Sequence, residues 1–259
     1  MPHKPRVAVV NYLNTVPLVW GMLHGEQRDR FDLTFCLPSE CADRLHDGRA
    51  DIGIVPAIEL PRQDLVITAG AGIACRGEVR SILLISKTPF EQIRTVAADS
   101  SSRTSAVLTQ IVLRTKYGVE PVMRSSAPDL AAMLEGCDAA LIIGDPALRI
   151  EPSQLPYRVL DLGSEWTGMT GLPMVYAVWA AKRRYDPEPF AASLRFGLAH
   201  MDEIVASEHA SRGISAELAR AYLTHNISFE LGPAERSGLD RFLEYASEIH
   251  QTGLRTVSV

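Results

Sequence analysis

The chain has 259 residues, 46% of them hydrophobic and 22% charged, with 18 Gly and 16 Pro, which is the composition of a compact globular protein and excludes a disordered or fibrous one. Lys and Arg total 26 against 31 Asp and Glu, for a net charge of -5; no broad basic field exists to draw in nucleic acid or an anionic membrane, so an anionic ligand needs a local device. Cys36, Cys41, Cys75 and Cys137 have neither metal-finger nor redox-pair spacing and are expected to be unpaired core thiols of a reducing compartment.

The N-terminal stretch meets a short apolar run and turns polar at Asn11, without a leader and cleavage site, and no apolar run is long enough to cross a bilayer. A cytoplasmic protein is expected.

Residues 7–10 are continuous, apolar and β-branched, as in a strand buried on both faces of a parallel sheet. Pro17 fits the first turn of a helix carrying Leu18, Val19, Met22 and Leu23, with Gly25 as its stop. The unit repeats: residues 33–37 as strand, Ser39 as N-cap, Ala42 and Leu45 as apolar face, Gly48 as stop, then residues 52–55 as a third strand. Alternating strands and helices predict a parallel sheet whose ligands sit beyond the carboxyl ends of the strands, where Asn11, Asn14, Pro56 and Glu59 fall.

Residues 66–68, 72–75 and 81–86 read as further strands, and Thr88 and Pro89 break the pattern. A second series opens with a strand at 95–98 and a helix after Asp99, followed by a strand near Val122, a helix over 130–134 and a strand at 139–143. Gly144, Asp145 and Pro146 read as a turn. Residues 159–162 and 174–180 complete the strands, and everything after Asp186 reads as helix, with periodic stripes through Phe190, Leu194, Leu198 and Met201, through Leu218, Ala221 and Tyr222, and through Leu239, Phe242 and Ala246. The simplest architecture is a two-lobed α/β protein with a hinged ligand cleft: residues 1–86 plus 179–259 form lobe one, and residues 87–178 form an inserted lobe two.

The densest polar feature is Asp99, Ser100, Ser101, Ser102, Arg103, Thr104 and Ser105, placed before a helix whose apolar face is Val107, Leu108, Ile111 and Val112. Unpaired N–H groups, the positive end of the helix dipole and several hydroxyls suit a carboxylate or phosphate. One of these residues acting as an ordinary N-cap accounts for the pattern equally well. No Gly-Lys-Ser/Thr follows a glycine-rich turn, so nucleotide phosphate is not indicated.

Other positions carry two readings each. Asn11, Asn14 and Thr15 either orient a ligand or build a turn. Ser81 faces the cleft or satisfies a neighbouring carbonyl. Asp145 is a base or ligand contact, or it caps its turn. Thr170 and Gly171, in the loop expected over 167–173, cover the ligand or reverse the chain. All seven histidines lie outside the second series of strands, none has zinc-motif spacing, and no nucleophile elbow surrounds a serine.

Taken together, Asn11-Tyr12-Leu13-Asn14, Asp51-Ile52-Gly53-Ile54-Val55-Pro56, Ser101-Ser102-Arg103-Thr104-Ser105, Ile143-Gly144-Asp145-Pro146-Ala147-Leu148, Asp161-Leu162-Gly163-Ser164-Glu165-Trp166 and Thr170-Gly171-Leu172-Pro173 resemble the chorismate dehydratases of the futalosine route to menaquinone. The resemblance runs from about Arg6 to Trp179. It implies a type II periplasmic-binding-protein-like fold turned to catalysis, with loss of water from chorismate to give 3-(1-carboxyvinyloxy)benzoate and with neither cofactor nor metal. On that reading Asn14 and Ser81 are expected to be catalytic, and Asn11, Thr15, Ser101, Ser102, Thr104, Ser105, Asp145, Thr170 and Gly171 to be substrate contacts. The expected partner is the small molecule alone. Two alternatives stand beside it: an enzyme like the synthase of 1,4-dihydroxy-6-naphthoate in the same pathway, expected to use a histidine, and a non-catalytic intracellular binder of small anions.

Overall fold

A computed structural model describes residues 4–251. The chain divides into two compact units, Met1–Ala74 with Val175–Pro233 and Cys75–Met174 with Ala234–Val259.

In unit one, β1 (Arg6–Val10), α1 (Val16–His24), β2 (Asp32–Cys36), α2 (Pro38–His46), β3 (Ile52–Pro56), α3 (Glu59–Arg62) and β4 (Val66–Cys75) follow in order. Unit two then runs through β5 (Ile82–Ser86), β6 (Thr95–Asp99), α4 (Arg103–Tyr117), β7 (Val122–Ser126), α5 (Leu130–Gly136), β8 (Ala139–Ile143), α6 (Gly144–Leu148), β9 (Arg158–Asp161) and α7 (Leu162–Thr170). The chain returns to unit one with β10 (Met174–Ala181), α8 (Glu188–Ala199), α9 (Met201–Glu208), α10 (Ala216–Ala221) and β11 (Ser228–Glu230), and α11 (Pro233–Gln251) follows in unit two.

The six-stranded sheet has the order β11-β4-β10-β3-β1-β2 and the five-stranded sheet the order β7-β6-β8-β5-β9. Strands joined by helical crossovers pair in parallel: β1 with β2 and β3, and β6 with β7 and β8. The strands beside the crossings are antiparallel, β10 to β3 and β5 to both β8 and β9. A parallel pair needs a covering crossover within its own sheet, and these strands arrive without one. Both sheets are therefore mixed rather than purely parallel.

In unit one, Val7, Ala8, Val9, Ile52 and Ile54 are almost wholly buried, as are Leu18 and Val19 of α1. α8 packs on α1 so closely that a Cβ on Gly197 would lie 2.1 Å from the Pro17 carbonyl oxygen. Unit two builds its core from Leu83, Ile85, Ala97, Met133, Leu134, Ala140 and Ile142. The four cysteines are buried and free, with Sγ of Cys36 and Cys41 3.1 Å apart.

Asp138, between α5 and β8, ties β6 into this unit. Its carboxylate accepts from Arg94 N–H and Thr95 N–H, each at 2.9 Å, and from the Thr95 hydroxyl at 3.0 Å. Burial acts to raise its pKa, but these donors and the charge of Lys87 hold it below the ordinary carboxylate value. A group depressed in the folded state stabilises the fold above its unfolded pKa of about 3.9 and loses that contribution as pH falls through the folded value. Asp138→Ala is therefore expected to unfold at lower urea concentration than wild type at pH 7, with the gap closing below about pH 4; a gap independent of pH rules this out.

The structure differs from the sequence expectation in several places. β5 belongs to the second sheet, so the unit boundary precedes Ser81 rather than following residue 86, and β10 belongs wholly to the first sheet, which moves the return crossing ahead of residue 178. The α11 stretch goes with unit two, not with lobe one. β4 is one strand where two fragments were expected, because Ala69-Gly70-Ala71-Gly72 lacks the bulk that marks a period; a Cβ on Gly72 would meet the Ala177 carbonyl at 2.4 Å, as the pairing of β4 with β10 requires. The expected turn at Gly144 is α6, whose first turn accommodates Pro146. The expected loop over 167–173 is partly the last turn of α7, ended by Gly171 at φ 70°. β11 interrupts the predicted all-helical C-terminal stretch and is too short to carry a period. Leu198 is exposed, since α8 and α9 part at His200.

Candidate functional site

The polar residues singled out in the sequence fall into two groups, one on each unit.

In unit one, β1 ends at Val10, and a 3-10 turn over Leu13–Thr15 leads into α1. Asn11 is exposed there, with its N–H bonded to the Cys36 carbonyl. The Asn14 amide is held at both ends: Nδ2 donates to the Tyr222 hydroxyl at 2.9 Å, and Oδ1 accepts from the Thr15 hydroxyl at 3.3 Å. Thr15 is buried and its hydroxyl faces that amide, so it orients Asn14. Tyr222 begins a single π-helical turn, Tyr222–Asn226, a local widening that recurs at functional sites. In the sequence Tyr222 was one member of an apolar stripe; the available signal was that a tyrosine buried on a core face must find a partner for its hydroxyl.

In unit two, β6 delivers Asp99 to the turn before α4. One Asp99 oxygen, Oδ1, accepts from both the N–H and the hydroxyl of Ser101, at 2.9 and 2.8 Å. Ser102 N–H donates to the Asp99 carbonyl at 2.9 Å. Ser102 occupies the N-cap position, yet its side chain makes no hydrogen bond to the helix. Its Oγ is buried and lacks a partner among the described residues, as does Asp99 Oδ2. Thr104 and Ser105, in the first turn, are also buried. Burial raises the Asp99 pKa above the ordinary carboxylate value, against the pull of the Ser101 donors and the Ile143 N–H. The capping alternative for this segment is thus not what the geometry shows: a side chain that should cap does not, and a buried unpartnered hydroxyl costs about 1–3 kcal/mol unless something binds it.

Ser81 is 1% exposed at the start of β5, and its carbonyl accepts from Gly144 N–H at 2.8 Å. Asp145 is buried in the first turn of α6, and Ile143, not Asp145, holds the N-cap position. The Thr170 hydroxyl donates to the Trp166 carbonyl at 2.8 Å and accepts from Leu172 N–H at 3.1 Å. Together with Gly171 it forms the stop of α7. Of the predicted residues, unit two therefore holds Ser81, Ser101, Ser102, Thr104, Ser105, Asp145, Thr170 and Gly171, and unit one holds Asn11, Asn14 and Thr15.

Among the described residues no group of His, Cys, Asp or Glu could hold a metal, and no helix is long and apolar enough to cross a membrane. His3 lies outside the described residues. α11 carries His250, so the absence of histidine from unit two holds for residues 75–174 only.

A family profile described as menaquinone biosynthesis matches residues 5–248. A chorismate dehydratase of Thermus thermophilus is 28% identical over 255 residues, covering 90% of this chain and 92% of that protein. A second chorismate dehydratase, of Campylobacter jejuni, is 23% identical and covers 91% of this chain and 94% of its own length. Among solved structures, protein AF1704 of Archaeoglobus fulgidus superposes with a TM-score of 0.77 at 19% identity, covering 96% of this chain and 99% of that one. The periplasmic aliphatic sulphonate binding protein SsuA of Escherichia coli gives 0.65 at 18%, covering 98% and 89%. The fold is periplasmic-binding-protein-like.

Proposed function

As the chain belongs to the menaquinone-biosynthesis family, we propose that it removes water from chorismate to give 3-(1-carboxyvinyloxy)benzoate, as a hydro-lyase that needs neither metal nor redox cofactor. The observation that carries the reading is the start of α4, where a buried N-cap hydroxyl stands without a partner among the described residues at the positive end of a 15-residue helix. Chorismate brings two carboxylates, and a helix N-terminus with added hydroxyl donors is a cradle for one of them. Ser102, Thr104 and Ser105 are assigned to that carboxylate, and Ser101, whose N–H and hydroxyl both donate to Asp99, shapes the turn beside it.

The reaction breaks the C–H bond at the ring carbon that bears the ether oxygen and expels the hydroxyl on the neighbouring carbon; the electron pair of the C–H bond completes the aromatic ring, and proton and hydroxide leave together as water. Aromatisation drives it. In this assignment the enolpyruvyl carboxylate of the substrate takes the proton and passes it to the departing hydroxyl, which requires a fixed near-attack geometry more than a strong protein base. Asn14 orients the substrate through its clamped amide, and Ser81 assists the departing hydroxyl.

The test is direct. Purified protein and chorismate, with no metal or cofactor added, are expected to yield a product lighter by one water, followed by chromatography and mass. Chorismate bound without water loss would instead favour a binding protein, and chorismate ignored would refute both.

Ser102→Ala probes the carrying observation. Removing an unpartnered buried hydroxyl is expected to stabilise the protein by about 1 kcal/mol, while KM for chorismate rises about tenfold through loss of a bond to a charged group. A lowered melting temperature or an unchanged KM contradicts the assignment.

A further inference from the structure

Ser81 enters β5 through a turn that is costly to hold. Its N–H donates to the Val79 carbonyl at 2.7 Å, closing a three-residue γ-turn around Arg80, which sits at φ 64°. This is the rarer, strained form of that turn. A side chain in the left-handed region costs about 1–2 kcal/mol, from which only glycine is exempt.

Three anchors oppose relaxation. The half-buried Asp161 carboxylate accepts from Val79 N–H at 3.0 Å and Arg80 N–H at 2.7 Å while also capping α7 through Ser164 N–H. The Arg80 guanidinium donates to the carbonyls of Ala147 and Ile150, at 3.2 and 2.6 Å, at the end of α6. The Ser81 carbonyl receives Gly144 N–H, at the start of the same helix. The strained turn is thus tied to α6 at both ends, and α6 carries Asp145.

We propose that Arg80 is a positioning residue, which holds the Val79–Ser81 turn in its strained form and so aims the Ser81 side chain. The inference rests on the reading of Ser81 as a group that acts on chorismate. Without the guanidinium tether, an L-residue at position 80 relaxes toward negative φ and swings Ser81 with it; a displacement of order 1 Å at a reacting group costs up to about 10²-fold in rate.

Alanine and glycine at position 80 separate this from a merely structural role. Both remove the tether, but only alanine retains the pressure to leave positive φ. Arg80→Ala is expected to lower kcat by about tenfold or more with little change in KM, and Arg80→Gly to recover most of that loss. In a Ser81→Ala background Arg80→Ala is expected to cost nothing further. Where the alanine variant fails to fold, Arg80→Lys, which cannot donate in a fork to both carbonyls, replaces it and is expected to show the same fall in kcat.

A folded Arg80→Ala with wild-type kcat, equal losses in the alanine and glycine variants, or additive losses with Ser81→Ala each overturns the inference. Wild-type protein that leaves chorismate unchanged, or Ser81→Ala that turns over normally, instead overturns the underlying reading, and the inference with it.

Discussion

Alanine at Asn14 or at Ser81 is expected to lower kcat for chorismate dehydration by about 10²-fold, the scale for losing a group that fixes the reacting geometry, while KM changes little. The two side chains stand on different units and are held by different means. Asn14 is clamped between Tyr222 and Thr15, so Tyr222→Phe is expected to reproduce part of the Asn14 loss by freeing one end of the amide. Ser81 is buried at the end of the strained turn at Arg80. Groups that serve only the transition state reduce kcat and kcat/KM together, whereas groups that bind substrate and transition state alike raise KM. Steady-state kinetics of the three variants separate these cases, and unchanged turnover in both alanine variants removes the assignment.

The second large effect concerns stability. A Cβ on Gly238 of α11 would lie 2.0 Å from the Pro173 carbonyl oxygen, the same oxygen that accepts the Trp166 indole N–H at 3.1 Å. The Trp166 ring, itself wholly buried, meets Phe242 and Tyr245 of α11 edge-on. Gly238→Ala must push the helix off a backbone atom, with no flexible side chain to yield. The expected cost is at least the about 1–3 kcal/mol of core overpacking, which in a chain of this size lowers the melting temperature by roughly 2–4 °C for each kcal/mol. Gly136→Ala is the control, since a Cβ there meets nothing within 4 Å. Equal melting temperatures for Gly238→Ala and wild type would mean that α11 is not docked against Trp166.

Much of the fold was legible because burial writes a period into the chain. Residues 7–10, 52–55 and 139–143 are continuous apolar runs and proved to be central strands, and Gly25 ends α1 as its sequence position predicts. Where the period fails, so did the reading: in the small residues of β4, in the three-residue β11, and at α6, where Gly-Asp-Pro suits a turn and a helix start equally. The unit boundary was misplaced for a related reason. The run Ile82-Leu83-Leu84-Ile85 announces a buried strand without saying which sheet buries it, and only its pairing with β8 and β9 assigns it.

The candidate site divides along the same line. Residue type and chain position alone determined that hydroxyls crowd the start of α4, that Asn14 follows β1 and that Ser81 precedes β5, because local propensity and strand ends are properties of neighbours in sequence. Only the tertiary structure decided that Ser102 leaves its helix uncapped, that Tyr222, some two hundred residues away, orients Asn14, and that Asp161 and Arg80 hold the turn before Ser81. Those facts depend on which distant donors and acceptors burial brings together, and a buried polar group takes whatever partner the packing supplies, a choice that no local pattern records.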